Sequence, residues 1–418
     1  MNYGRSKFNL RGKRVTVLGL GAHGGGVGVV RFLADRGARV LVSDLKDKKA
    51  LANSLSEIDN LPVRLSLGGH RSEIFEADLM VRSPAVPHTS PVLKEAERRG
   101  IPIVMESTLF FQFCPSQYTV GITGTKGKTT ATLLLERLMR QAGKDVVAVG
   151  NFGRSMLEVL PQVNQETWVV LELSSFHLEG LEMIRRSPHV AAVTNLFPDH
   201  MDRYRDMREY ASAKEHIFRY QKKGDLLFLE QSLGKVWNLS GASANPLFFR
   251  GGSKALVRKI ADRLGLAFDS HILDMEVLFR QQLIMEREGV RFINDSCATN
   301  PGATLYGLNE FRGQVVLIVG GTDKGLDYRQ LSEKISARRV PVVLLSGSAT
   351  AKLKRGLRKE LVLAETKNLG DAVRISFSHA RPGGVVLFSP AAASFELFVD
   401  EFDRGRKFNE AVRGLCNE

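Results

Sequence analysis

The ten residues GITGTKGKTT, 121 to 130, limit what this chain can fold into more than any other stretch. Three glycines and two lysines fall in ten residues, with three hydroxyl residues after Gly124. The preceding YTV is β-branched and aromatic, and the following TATLLLERLMRQAG has helical spacing and closes on glycine. The stretch therefore reads as a strand–loop–helix junction. A helix N-terminus offers unpaired N–H groups and the positive end of a dipole, and glycines let backbone curl around a phosphate. Gly124, Thr125, Lys126, Gly127, Lys128, Thr129 and Thr130 are accordingly expected to hold ATP. Lys128 would reach the β- and γ-phosphates, and the Thr129 hydroxyl would face Mg²⁺. The usual spacing asks for glycine six residues before the lysine; Ile122 stands there, and Gly121 is one residue out. A glycine-rich turn with incidental lysines is the bland alternative, and the G-K-T ending with its flanking elements argues against it.

Short apolar runs alternate with helical stretches along the rest of the chain, as in parallel α/β folds whose strands are covered on both faces. RVTVLGLG (14–21), ARVLVSD (38–44), DLMVRSP (78–84) and IPIVME (101–106) form one series. FCPSQYTVGITG opens a second, and GQVVLIVGG (313–321), VPVVLLSGS (340–348) and GGVVLFSP (383–390) form a third. Three α/β domains are expected over residues 1–110, 111–276 and 277–418. The outer two should be Rossmann-like and the central one a P-loop-type ATPase. With 59 Lys+Arg against 45 Asp+Glu the net charge is +14, which suits small polyanions such as nucleotides. No basic stretch interleaved with aromatics points to nucleic acid. LKDKKALANS and RKIADRLG read as solvated helix faces. Cys114, Cys297 and Cys416 are far apart and odd in number, so neither a disulfide framework nor a zinc site is expected. No run resembles a signal peptide or a membrane span, and a cytoplasmic monomer is the expectation.

Three further features carry chemistry. GLGAHGGG places Gly19, Gly21 and Gly24 as G-x-G-x-x-G after a strand, with Asp44 twenty residues beyond Gly24. Alone, this reads either as a dinucleotide loop with Asp44 on a ribose or as a tight turn with Asp44 as a cap. WVVLELSSFHLEGL (168–181) reads as an apolar strand interrupted by Glu172, a carboxylate that needs a partner: Mg²⁺, or a core lysine. VTNLFPDHMDRY carries Asp199, His200 and Asp202 beyond a strand end, where α/β folds keep their sites. Lys214, in YASAKEHIF, reads by default as a surface lysine.

Taken in order, GITGTKGKTT, LELSSFHLEGL, DHMDRY, INDSCATN and LFSPAAASFELF closely resemble the Mur ligase family over most of the chain. The resemblance implies a first domain for a UDP-sugar, a second for ATP and a third for an amino acid. It implies ATP-dependent addition of D-glutamate to UDP-N-acetylmuramoyl-L-alanine through an acyl phosphate, in peptidoglycan precursor synthesis. Gly21, Ala22, His23, Asp44, Lys46, Ser83, Asn151, Ser174 and His177 would then bind the UDP-sugar, in place of a dinucleotide. Thr129 and Glu172 would hold one Mg²⁺. His200 and a carbamylated Lys214 would hold a second, since an ammonium would repel the metal and a carbamate gives it two oxygens. Arg280 and Asp295 would close over ATP, while Thr299, Lys324, Ser394 and Phe395 would form the glutamate pocket.

The chain departs from the family pattern in three places. Cys297 replaces the lysine of SKATN, His177 follows SSF where glutamine is common, and FFRGGSKALVRKIADRLG lacks the family's HNxxN. Two other readings follow: a related ligase for L-glutamate or another amino acid, and a non-catalytic nucleotide-binding paralogue. Folylpolyglutamate synthases share the ATP loop but lack the glycine-rich first domain.

Overall fold

The computed structural model describes residues 9–21, 26–150, 155–201, 203–239, 243–274 and 276–415. Ala22, His23, Gly24, Asn151, Asp202 and Cys416 lie outside the described residues.

Three sheets organise these residues. The first contains β1 (Arg14–Leu18), β2 (Arg39–Asp44), β3 (Arg64–Leu67), β4 (Leu79–Arg82) and β5 (Ile103–Val104), in the order β3-β2-β1-β4-β5 and parallel throughout. The second contains β6 (Thr119–Thr123), β7 (Val146–Gly150), β8 (Trp168–Glu172), β9 (Val190–Val193), β10 (Leu226–Glu230) and β11 (Pro246–Phe249). Its order is β11-β10-β9-β6-β8-β7, again parallel. The third contains β12 (Gln282–Arg287), β13 (Val290–Asn294), β14 (Val315–Gly320), β15 (Val342–Leu345), β16 (Val362–Thr366) and β17 (Val385–Phe388). Its order is β12-β13-β17-β14-β15-β16, with only β12 antiparallel to its neighbour. The first two sheets belong to one compact unit, Met1–Asn195 with Ala211–Leu273. The third belongs to another, Leu196–Tyr210 with Asp274–Glu418.

The central strands are the uninterrupted apolar runs. Every residue of VVLIVG in β14 is buried, and so is every residue of TVGIT in β6, because helices cover both faces. Helix Lys128–Gln141 lays Leu134, Leu135 and Leu138 on the second sheet beside Leu256 and Ile260 of helix Gly252–Arg263. That helix takes in RKIADR of RKIADRLG, with Leu264 and Gly265 beyond its end, and its Ile260 and Ala261 face inward.

Two sequence expectations change. LKDKKALANS is not a solvated helix: only Ala52–Ser56 is helical, preceded by a turn that buries Leu51 completely. WVVLELSSFHLEGL is not one strand, since β8 stops at Glu172 and helix Ser175–Ile184 follows. Ser174 causes the change of direction: its hydroxyl accepts the His177 N–H at 3.2 Å, capping the new helix. Glu172 therefore stands at the C-terminal edge of the sheet, where open parallel sheets keep their ligands.

Candidate functional site

The chain leaves β6 through Gly124 at φ +140° and enters helix Lys128–Gln141 through Gly127 at φ +85°. A side chain at Gly124 would stand 2.0 Å from the Thr194 hydroxyl, so the conformation and the close approach both require glycine. Gly121 has a different task. It lies inside β6, where a Cβ would stand 2.4 Å from Pro188, and it takes no part in the loop. The glycine one residue out of the usual spacing is thus a packing glycine.

Asn195 and Thr194, at the end of β9, hold this loop open. The Asn195 side chain accepts the Lys126 N–H at 2.8 Å and donates to the Lys126 carbonyl at 2.9 Å. Thr194 donates to the same carbonyl at 2.6 Å. Neither residue was singled out from sequence; the available signal was a polar pair directly after a buried strand. Lys128 folds its ammonium onto the Thr125 carbonyl at 3.1 Å, a neutral acceptor that a phosphate can replace. Thr129 is buried in the first turn and Thr130 is half-buried.

Glu172 lies beside Ile122 in the β6–β8 ladder, next to this loop. It is 2% exposed, and its Oε2 has no hydrogen-bond partner. A buried carboxylate oxygen left unpartnered costs free energy unless a cation completes it. Lys214, on helix Met207–Arg219, is not at the surface: it is 1% exposed, with Nζ 3.1 Å from the Gly124 carbonyl and 3.4 Å from the Thr123 hydroxyl. The small neighbours Ala211 and Ala213 are buried with it.

His177 stands behind Ser174. Burial, reinforced by the Lys128 charge, pushes its imidazole down to about 4, so the ring is neutral at pH 7. The unfolded chain therefore binds more protons than the folded one between about pH 4 and 6.5, and stability falls as pH drops through that window. The full shift corresponds to about 3 kcal/mol. His177→Gln should flatten the acid limb of the stability–pH curve between pH 6.5 and 4, measured by denaturant unfolding. An unchanged slope would contradict the assignment.

In the first sheet, both Asp44 oxygens are engaged by backbone amides: Gly21 N–H at 3.1 Å and Lys46 N–H at 2.9 Å. The carboxylate ties the loop after β1 to the loop after β2. Ser83 follows β4, and a Cβ on Gly19 would stand 3.0 Å from it, so the chain ends of β1 and β4 make the crevice at the sheet's switch point.

The second unit gathers the remaining candidates. His200 adopts φ +55°, and its N–H donates to Asp199 at 3.0 Å. Asp199 is 5% exposed and pairs with Lys324 at 3.1 Å and with the Asn300 amide at 3.0 Å. Lys324 thus already holds a carboxylate from its own chain, a pairing not expected from sequence. The Thr322–Ala393 bridge ties the Lys324 loop to the Ser394 loop. Ser394 is buried with a hydroxyl that has no partner, Thr299 is half-buried, and Phe395 is 64% exposed. Asp295 is fully buried and accepts from Ser389 at 2.9 Å. Arg280 sits between Phe279 and Gln281, both at left-handed φ, a strained turn of the kind functional sites retain. Burial pushes the Cys297 thiol up to about 11, so it is a neutral group at pH 7. Among the described residues no group of three or more His, Cys, Asp or Glu side chains could hold a metal by itself, and no helix is long and apolar enough to cross a membrane.

Comparison with known proteins covers all three sheets. Residues 13–105 match the MurD-like N-terminal domain of Mur ligases, 122–245 the Mur ligase middle domain, and 279–392 the Mur ligase glutamate ligase domain. The UDP-N-acetylmuramoylalanine–D-glutamate ligase of Roseiflexus sp. (strain RS-1) is 39% identical, with 98% of this chain and 100% of that protein aligned. The enzyme of the same name from Chlorobaculum parvum is 34% identical over 98% of this chain and 99% of its own. The fold resembles the crystal structure of MurF ligase from Thermotoga maritima in complex with ADP, at a TM-score of 0.60 and 17% identity, covering 90% of this chain and 94% of that one.

Proposed function

The chain belongs to the Mur ligase family of ATP-dependent, amide-forming ligases, and from that premise we propose how it joins D-glutamate to UDP-N-acetylmuramoyl-L-alanine. The observation that carries this reading is the end-to-end match at 39% identity. It takes in the domains for both the acceptor and the amino acid, whereas a match of the nucleotide domain alone would leave the substrates open.

The acceptor carboxylate attacks the γ-phosphorus of ATP, ADP leaves, and an acyl phosphate forms. The neutral amine of glutamate then attacks the acyl carbon, phosphate leaves, and the nitrogen gives up a proton. Little of this needs covalent help from the protein; positioning and charge neutralisation carry it. The first helical turn, Gly127 to Thr130, would offer its N–H groups to the phosphates, while those of Thr125 and Lys126 are taken by Asn195, and Lys128 would exchange the Thr125 carbonyl for a phosphate oxygen. Glu172 fits a divalent cation, because its buried Oε2 has no hydrogen-bond partner, and the Thr129 hydroxyl would be the second protein ligand. Mg²⁺ bound there would supply neutralising charge to the β- and γ-phosphates. His200 and a carbamylated Lys214 would hold the second ion. Gly21, Asp44, Lys46 and Ser83, with Ala22, His23 and Asn151, serve the UDP-sugar, joined by Ser174 and His177. Arg280 and Asp295 serve ATP, and Thr299, Lys324, Ser394 and Phe395 serve glutamate. Domain boundaries near residues 110 and 277 follow from this division of labour. All the substrates are diffusible, so a monomer working in the cytoplasm on small molecules, without nucleic acid or membrane, suffices.

Phosphate release with UDP-N-acetylmuramoyl-L-alanine and a panel of amino acids tests the reading. D-glutamate should be the best donor; preference for L-glutamate or for a neutral amino acid would overturn it. Lys324→Ala should raise the glutamate KM roughly 30-fold, equivalent to about 2 kcal/mol for a lost partly buried charge pair. The ATP KM should change far less. Parallel changes in both would assign Lys324 to phosphate.

A further inference from the structure

Strands β6, β9 and β10 begin at the edge of the second sheet opposite the nucleotide loop, and a cavity of about 590 Å³ opens there. A five-residue strand separates the two ends, on the order of 15 Å. Tyr118, Arg185, His189, Tyr220, Lys222 and Asp225 contribute to its wall. The volume lies within the range of small-molecule sites.

The charges in this wall do not cancel. Asp225 is its only carboxylate, and both oxygens are engaged: one by the His189 ring at 2.8 Å, the other by the Lys222 N–H at 2.7 Å. Arg186 has a structural task, since it donates to the Phe111 carbonyl in the last turn of helix Glu106–Phe113. Arg185 and Lys222 have no such task, and neither forms an ion pair among the described residues. Arg185 also closes helix Ser175–Ile184 at φ +48°, the left-handed position where glycine relieves strain. An arginine held there costs about 1 kcal/mol, so its side chain is expected to do something a glycine cannot.

The walls are flat and rigid. Tyr118 stacks on Trp168 at 5.0 Å, Tyr220 stacks on His216 at 6.3 Å, and the Arg185 guanidinium lies 5.8 Å from the Tyr220 ring. Two uncancelled cations in a wall that also carries two buttressed rings match a phosphate joined to a planar heterocycle. We propose that this cavity is a second ligand site, separate from the catalytic one, for a small phosphate ester bearing a flat ring, of the nucleoside monophosphate class.

Equilibrium dialysis of the full chain, with ADP–Mg²⁺ and UDP-N-acetylmuramoyl-L-alanine saturating its own substrate sites, provides the test. Adenosine and uridine monophosphates are the probes, with adenosine and inorganic phosphate as controls. The expected result is one saturable monophosphate site per chain, with both controls at least tenfold weaker. Trp168 fluorescence should change along the same isotherm, because Tyr118 lies against it. Arg185→Ala with Lys222→Ala should weaken monophosphate binding at least tenfold and leave basal turnover unchanged, since both side chains are exposed. No saturable binding, equal binding of either control, or an isotherm indifferent to the double substitution would overturn the proposal.

Discussion

Lys128→Ala is expected to lower phosphate release by about three decades while UDP-sugar binding, measured by calorimetry, stays within a factor of two. Removing one preorganised donor to a developing charge typically costs two to three decades, and here the donor also carries the only full positive charge at the G-K-T position. The fold should tolerate the change. In the structure the ammonium contacts a neutral carbonyl at 3.1 Å, and the loop is held independently by Asn195 and Thr194. Loss of activity would then arise in the chemical step and not from unfolding, which a thermal melt checks. Turnover within tenfold of the native chain would rule out the ATP-loop assignment.

Lys214→Ala should be equally severe, and its cause can be separated from a simple loss of packing. The amine sits 1% exposed beneath the loop, against the Gly124 carbonyl. An ammonium there would be buried at a cost, beside the proposed phosphate and metal site. A neutral amine that takes up CO₂ releases a proton and becomes a carbamate with one negative charge shared over two oxygens, which reverses the sign of the charge. Lys214→Ala should lower turnover by three decades or more, and acetate or formate at high concentration should restore part of it by replacing the missing carboxylate. Lys214→Arg keeps the positive charge and excludes the small acid, so it should be inactive without rescue. Equal rescue of both variants, or a native chain indifferent to removal of CO₂, would refute the carbamate.

What could be read from sequence followed burial. Most strands expected from unbroken apolar runs lie inside their sheets, although β5 stands at an edge and the interior strand β10 was not expected. β3, β12 and β16 escaped notice because they lie at sheet edges with one face in water, and their sequences RLSL, QLIMER and VLAET carry too few apolar residues to stand out. The glycine loop was legible because its conformation admits few residues. Lys214 was misread as a surface residue, although the signal was present. Tyr210, Lys214, Ile217 and Phe218 follow a helical stripe, all are buried, and a lysine inside such a stripe is an interior one. Asn195 and Asp199 were not legible in their present roles, because their partners Lys126, Lys324 and Asn300 are 69 to 125 residues away and only the folded chain joins them.

On the role proposed for Lys324, its ion pair with Asp199 would turn amino-acid choice into a contest between rivals. Whatever enters must outbid a carboxylate the chain already supplies, at 3.1 Å and nearly dry. Alanine, glutamine or serine bring no second negative group, so they cannot win that exchange however crowded the cell is with them. A pocket guarded by its own decoy would therefore protect the polymer built from its product against errors of supply, because abundance alone does not give a neutral amino acid the charge it would need to displace Asp199.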